Sequence, residues 1–355
     1  MSSIKKVTLQ MIADKLGVSK ALVSKALSHD PAVNDGTRET IWKTAEELGY
    51  RLKPQRKKIA AHKTGNIVVI VPRAYFDESE YWGKIMRGID KELMQHRYSM
   101  IVSSVDIDRP ASEGLPLSIQ ESKADGAIVM GHLPAAYMQA LRARHIPYVM
   151  VDANVVDPAV DHVLANNFIG GYQVGQQLLH AGHRRLAFVG DAHSSWSFRE
   201  RFRGFSEAVQ EFNRETLHSG SASLFQIEGM GTCSTGMYTE PTFADALKHH
   251  LTRPDPVTAL FFANDFIIFE ALRHFTDWGI RYPQDVSLIG FDNHTLTQLM
   301  KPAISTVSVP KTSLGQRAAE MIVHRIEQPE RTPEHVLLSS QLVDRESVLP
   351  GPASD

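Results

Sequence analysis

From Ile67 to Phe291 the chain alternates between continuous apolar runs and helical stretches, and that alternation leaves few folds open. Ile67–Val71, Met100–Val105, Ala127–Met130 and Tyr148–Val151 read as strands, as do Leu186–Val189, Ala259–Phe262 and Leu288–Phe291. Between them Tyr81–Gln95, Gly170–His180, Phe198–Phe212 and Phe266–Trp278 carry helical periodicity. Strands that lack polar alternation are buried on both faces, which calls for parallel sheets covered by helices on each side. A body of this length exceeds one small core and should divide into two lobes. Ligands of open α/β sheets sit beyond the carboxyl ends of the strands, so the cleft between the lobes is the expected site.

Ahead of this body lies Val7–Leu27, VTLQMIADKLGVSKALVSKAL. Leu9, Ile12, Ala13 and Leu16 recur at helical spacing after Thr8, a candidate N-cap. Gly17 breaks the pattern. Ser19 then caps a second helix with Leu22, Val23, Ala26 and Leu27 on its apolar side. Lys20, Ser24 and Lys25 lie between those positions, and a short helix with a polar, basic outer face suits the DNA major groove. Ser28–Pro31 reads as a loop. A third helix is expected from about Thr37 to Leu48, capped by Asn34 and closed by a left-handed Gly49.

Charge separates the two parts. Residues 1–63 hold 13 Lys or Arg against 6 Asp or Glu, a balance of +7; subtracting from 38 and 40 leaves 25 and 34 in the remainder, a balance of −9. A basic head on an acidic body is the pattern of a nucleic-acid-binding module attached to something that is not one. The single cysteine, Cys233, excludes an intramolecular disulfide and fits a cytosolic compartment. No apolar run is long enough to span a membrane, and no signal peptide is evident.

VTLQMIADKLGVSKALVSKAL followed by TRETIWKTAEELGYRLKP resembles the helix-turn-helix and third helix of the lac repressor (LacI/GalR) family of bacterial transcription regulators. Leu22 departs from the family's usual Thr and Lys25 from its Arg; lysine keeps the charge but loses the bidentate fork that reads guanine. The resemblance implies that Lys20 and Ala21 read base edges, that Ser19 and Ser24 contact phosphates, and that Lys25 contacts a base or phosphate. Thr8 joins them as a DNA-contact candidate. Arg51–Lys63 corresponds to the family's hinge, where Pro54 can start a short helix and Ile59 matches a leucine that wedges into the minor groove. Arg56 replaces an alanine there, so this hinge is more basic and can act on phosphates.

The body resembles the periplasmic-binding-protein-like effector domain of the same family. IVPRAYFDESEYWGKIMRGIDKEL, DGAIVM, NNFIGGYQVGQQLLHAGHRRLAFVG, RERFRGFSEAV, FFANDFIIFEAL, DVSLIGFDN and the terminal VDRESV, matched to the family's last strand, carry the likeness. The implied organisation is a DNA-binding head at 1–50 and a hinge helix at 51–64. One lobe is built from 65–164 with 308–333, the other from 165–307 with 334–355. The implied effector contacts are Asp152, Arg201, Asn264 and Asp292, with Tyr81 or Trp82 as an aromatic wall. All four polar residues fall near a strand's carboxyl end or a helix start. Carboxylates that take paired hydroxyls, a guanidinium fork and an amide together suit a polyol or sugar.

Each candidate has a plainer alternative. Arg201 could pair with Glu200 or Glu207 on a solvated face, Asn264 and Asp265 could be helix caps, Asp292 could cap the next turn, and Tyr81 and Trp82 could be ordinary core. Gly229–Gly236, GMGTCSTG, lacks phosphate-loop spacing and reads as a loop at the cleft mouth or the surface. His249–His250 reads as exposed helix rather than a metal site. No zinc-binding or nucleophile-elbow motif appears, so neither a cofactor nor a metal nor enzyme activity is expected. The expectation is a cytoplasmic homodimeric repressor of carbohydrate-utilisation genes. It would bind a pseudo-palindromic operator and leave it when a sugar-like effector binds. A solute-binding protein with an idle head and a sugar-processing enzyme are the other classes.

Overall fold

The computed structural model describes residues 7–27, 33–48, 50, 63–76, 78–107, 114–154, 157–216, 221–233 and 236–352. The chain divides into two compact units, Met1–Lys63 and Thr64–Asp355.

The head is built from α1 (Leu9–Leu16), α2 (Lys20–Leu27) and α3 (Asp35–Glu47). Thr8 caps α1, accepting from Met11 N at 3.4 Å, and Gly17 closes it at φ 65° with its N–H on the Ala13 carbonyl. A left-handed residue at that point lets the chain turn within a few residues, and glycine adopts it without a Cβ clash. Ser19 accepts from Leu22 N at 3.1 Å and starts α2; Asn34 accepts from Gly36 N at 2.9 Å and starts α3 two residues earlier than the sequence suggests. Ile12, Ala13, Val23, Ala26, Leu27, Ile41 and Ala45 form the core, with Trp42 donating its indole N–H to the Ala26 carbonyl at 3.3 Å. The expected loop at Ser28–Pro31, the Gly49 cap and the hinge residues Pro54, Arg56 and Ile59 lie outside the described residues.

The body has two lobes, each organised on one six-stranded sheet. The first runs β13 (His335–Leu338), β5 (Asp161–Ala165), β4 (Tyr148–Val151), β3 (Gly126–Met130), β1 (Asn66–Pro72), β2 (Ser99–Val105), parallel throughout. The second runs β14 (Gln341–Val343), β12 (Ser305–Ser308), β11 (Ser287–Phe291), β10 (Ala259–Phe262), β6 (Arg185–Val189), β7 (Ser223–Ile227). It is parallel except where β14 meets β12, so the expected all-parallel pattern ends at that edge. Helices Lys84–Gln95 and Lys311–Glu327 pack together in the first lobe, and Asn167–His180 and Trp196–Glu215 in the second.

Four sequence boundaries move. Thr64 belongs to the body and not to the hinge, since its N–H and hydroxyl donate to Asp125 at 2.6 and 3.0 Å. Residues 334–338 belong with the first lobe, because His335–Leu338 pairs with His162–Ala165. Strand β5 carries that lobe to Ala165, and β12 keeps the second lobe to Ser308. Of VDRESV only Val343 belongs to the last strand, which stops there; Ser347 instead donates to the Leu288 carbonyl at 2.6 Å and accepts from Ser305 N at 2.8 Å. Within GMGTCSTG the described residues from Met230 on are strand and not loop, with β8 (Met230–Cys233) antiparallel to β9 (Gly236–Thr239).

Candidate functional site

Residues at the carboxyl ends of strands from both sheets converge on one cavity of about 420 Å³. That volume is in the range of small-molecule sites, roughly 300–1,000 Å³. All six of the expected effector residues line it: Tyr81, Trp82, Asp152, Arg201, Asn264 and Asp292. Asp152 leaves β4 at φ 48°, and Asp292 and Asn293 leave β11 at φ 102° and 50°. Non-glycine residues in the left-handed region are strained, and such strain concentrates where a side chain must be aimed.

Arg201 is the anchor. It is 2% exposed, and its Nε donates to Asn167 Oδ1 at 2.9 Å, Nη1 to the Ala263 carbonyl at 2.5 Å and Nη2 to Asp292 Oδ1 at 3.1 Å. The guanidinium lies 3.7 Å from the centroid of Phe291, a cation–π arrangement. Its sequence alternative is removed: Glu200 pairs with Arg203 and Glu207 with Arg214, each at 2.8 Å. The helix that carries Arg201 sits hard against Asn167–His180. A Cβ on Gly204 would stand 1.9 Å from the Phe168 carbonyl oxygen, and one on Gly171 2.0 Å from that of Arg201. Only glycine permits backbones this close.

The remaining positions have mixed roles. Tyr81 donates its hydroxyl to Asp152 Oδ2 at 2.8 Å. Burial pushes the Asp152 carboxyl above its ordinary value, opposed by the Tyr81 hydrogen bond and the charge of Arg201. Tyr81 and Trp82 are both buried core and cavity wall, so the two sequence alternatives hold together. Asn264 caps helix Asp265–Trp278, accepting from Ile267 N at 3.1 Å, while facing the cavity. Asp265 is not the cap. It is buried and accepts from His294 N at 2.7 Å and from the Thr306 hydroxyl at 2.8 Å, and burial followed by repulsion from Asp292 raises it to about 7. Nor does Asp292 cap the next turn; His294 does, accepting from Leu296 N at 3.1 Å.

Several cavity residues escaped the sequence reading. Tyr75 stacks on Trp82 with ring centroids 5.1 Å apart at 10°. Glu78 is raised to about 7 by burial first and by Asp292 second. His132, edge-on to Tyr75, is lowered to about 4 by burial and is neutral at pH 7. Thr232, Gly236 and Met237 bring β8 and β9 to the cavity wall. Position was the available signal, since Tyr75 and Glu78 follow β1 and His132 follows β3 at their carboxyl ends. Lys311 donates its ammonium to the Asp292 carbonyl from the start of its own helix. That bond joins the lobes beside the cavity, as do those from Trp196 N to Asn154 Oδ1 at 2.6 Å and from the Thr295 hydroxyl to Glu80 Oε2 at 2.8 Å.

In the head, Thr8, Ser19, Lys20, Ala21, Ser24 and Lys25 are all exposed, while Val23, Ala26 and Leu27 of α2 are buried. The exposed set offers hydroxyls, ammoniums and the methyl groups of Thr8 and Ala21. Among the described residues no group of His, Cys, Asp and Glu could hold a metal ion, and no helix is long and apolar enough to cross a membrane.

Known proteins resemble this chain along its length. Residues 8–52 match the family described as "Bacterial regulatory proteins, lacI family", and residues 176–348 match "Periplasmic binding protein-like domain". The HTH-type transcriptional repressor PurR of Escherichia coli O139:H28 is 27% identical over 351 residues, 98% of each chain. A structure of the transcriptional regulator CelR with cellobiose is 26% identical, covering 96% of this chain and 99% of that one, with a TM-score of 0.64. The lac repressor dimer bound to operator, 21% identical, covers 97% and 100% with a TM-score of 0.66 and shares the fold. The helix-turn-helix head, the two-sheet body and these likenesses agree: together they indicate a LacI-family transcription regulator.

Proposed function

We propose that this regulator represses carbohydrate-utilisation genes and leaves its operator when a sugar-like effector fills the cavity between its lobes. The observation that carries the reading is the convergence of Tyr81, Trp82, Asp152, Arg201, Asn264 and Asp292 on one cavity from both sheets. Carboxylates, an amide and a guanidinium beside aromatic rings suit hydroxyl groups and the apolar face of a sugar. The likeness to the CelR–cellobiose structure points the same way.

Two copies present two heads to a pseudo-palindromic operator, since paired heads need paired half-sites. In each, Lys20 and Ala21 face base edges, Ser19 and Ser24 phosphates, and Lys25 either; Thr8 adds a further contact. Pro54, Arg56 and Ile59 belong to the segment 51–63 that links head to body and acts on the DNA beside it. The effector works by preferring one lobe arrangement. Moving an equilibrium from 1:99 to 99:1 takes about 5.5 kcal/mol of such preference. The chain acts in the cytoplasm, and its cavity binds without catalysing.

Fluorescence anisotropy on promoter DNA from around its own gene tests the reading. Binding should be sequence-specific, and a sugar that raises the melting temperature should release the DNA. Asp152→Asn should abolish release while leaving DNA affinity unchanged. Sequence-indifferent binding that disappears steeply with salt would overturn the repressor, and release unaffected by Asp152→Asn would overturn the site.

A further inference from the structure

The charge balance of the cavity narrows its ligand, given the reading that the cavity is the effector site. Among the described residues that line it, the carboxylates of Glu78, Asp152 and Asp292 accompany a single cation, Arg201. Each nitrogen of that guanidinium already donates to the protein, to Asn167, the Ala263 carbonyl and Asp292. Lys311, in the small adjoining pocket, gives its ammonium to the Asp292 carbonyl. An anionic ligand would therefore be buried among three carboxylates, with the guanidinium already paired to one of them and the nearby ammonium already held by the Asp292 carbonyl. Burying a charge without its own partner is among the costlier events in a protein. The lining is rich in acceptors, so the ligand must bring donors.

Glu78 and the rings around it indicate where a positive charge would sit. Trp82 stacks on Tyr75, and Tyr81 meets Trp82 at 78° with centroids 5.0 Å apart. A carboxylate beside aromatic faces suits an ammonium, which gains an ion pair and a cation–π contact together. Repulsion supports the same placement: burial, Asp292 and Asp152 raise Glu78, opposed by Lys311 and the Trp82 hydrogen bond, and a cation would relieve it.

We propose that the effector is an amine-bearing, sugar-like polyol whose ammonium is held by Glu78 and the aromatic wall, with its hydroxyls on Asp152, Asn264 and Asp292, and that sugar phosphates are rejected. Calorimetric titration of the full chain with matched pairs tests this: glucose and glucosamine, galactose and galactosamine, mannose and mannosamine, with glucose 6-phosphate beside them. At least one amine should bind about ten-fold more tightly than its neutral partner, a difference of about 1.4 kcal/mol. N-acetylation of that amine, which removes its charge on the unaltered protein, should erase the gain. Glu78→Gln should erase it too, so that the amine binds no more tightly than its neutral partner on that variant. Neutral partners binding as tightly in every pair, or glucose 6-phosphate outbinding glucose, would overturn the proposal. Neutral sugars that bind and release operator DNA would remove the amine alone; a panel in which nothing binds would remove the sugar-site reading with it.

Discussion

Thr295 donates its hydroxyl to Glu80 Oε2 at 2.8 Å, joining the short helix Thr295–Leu299 after β11 of the second sheet to the π-helical turn Ser79–Gly83 after β1 of the first. Lys84 also holds that carboxylate at 2.8 Å, and together these hydrogen bonds lower Glu80 to about 2. The contact ties the two lobes together beside the cavity, so it stabilises the lobe arrangement of this structure.

Thr295→Val should therefore weaken effector binding more than it weakens the fold. A partly exposed contact of this kind is worth up to about 1 kcal/mol, or roughly five-fold in affinity. Titration calorimetry and thermal melting separate the two: affinity should fall while the melting midpoint stays nearly unchanged. The lowered value of Glu80 means that its contribution is complete above its ordinary 4.5 and is lost as pH falls through about 2.

Asp265 has the opposite sign. Its value rises from 3.8 to about 7, so its contribution to stability is fully present below 3.8 and is lost as pH rises through about 7. Glu78, also raised to about 7, acts in the same direction. Asp265→Asn keeps an oxygen for the His294 N–H and removes the titration. Urea unfolding at pH 5 and pH 8 should show the variant with the flatter profile and gaining on the parent at pH 8, by on the order of a few kcal/mol. Parallel profiles would refute a buried titrating carboxyl here.

Gly204→Ala should strain the helix pair that positions Arg201. Its Cβ would meet a backbone oxygen at 1.9 Å, and backbone cannot rotate aside. Overpacking of this kind costs about 1–3 kcal/mol. Chemical denaturation measures that loss. Effector affinity should fall further than stability alone explains, because Arg201 moves with its helix.

In the head, Lys20→Ala and Lys25→Ala distinguish base reading from phosphate binding. A lysine that serves a phosphate, once removed, lowers affinity on every sequence and reduces the salt slope by about 1; one that reads a base relaxes specificity at a single operator position. Lys25→Arg restores the fork and should sharpen discrimination for guanine, where a good bidentate pair is worth about 1–3 kcal/mol. Binding to single-base operator variants across a salt series reads both.

Local features of the chain are the ones its sequence displays best. The caps at Thr8, Ser19 and Asn34 and the turn at Gly17 depend on neighbours within four residues, so spacing reveals them. After their first residues the central strands β1, β3, β4, β6, β10 and β11 carry continuous apolar runs because both faces are covered, and such runs are visible without any partner. The edge strand β2 was visible in the same way, but the more polar strands β12 and β13 were not. His335–Leu338 alternates in exposure, and Ser305–Ser308 buries Ser305 and Thr306, whose polar groups are satisfied by Ser347 and Asp265 far along the chain.

The sequence by itself determined the head's helix-turn-helix, the alternation that builds two α/β lobes, and the polar residues placed near the strands' carboxyl ends. Each follows from short-range periodicity and chain chemistry. Only the tertiary structure decided what those residues do to one another. Arg201 could equally have faced its helical neighbours Glu200 and Glu207; packing against Gly171 and Phe291 turned it inward onto Asp292, distant in sequence. Tyr75, Glu78 and His132 became a wall, and Asp265 and Glu78 acquired raised pKa values, because burial and charge proximity arise only when two sheets bring their strand ends together.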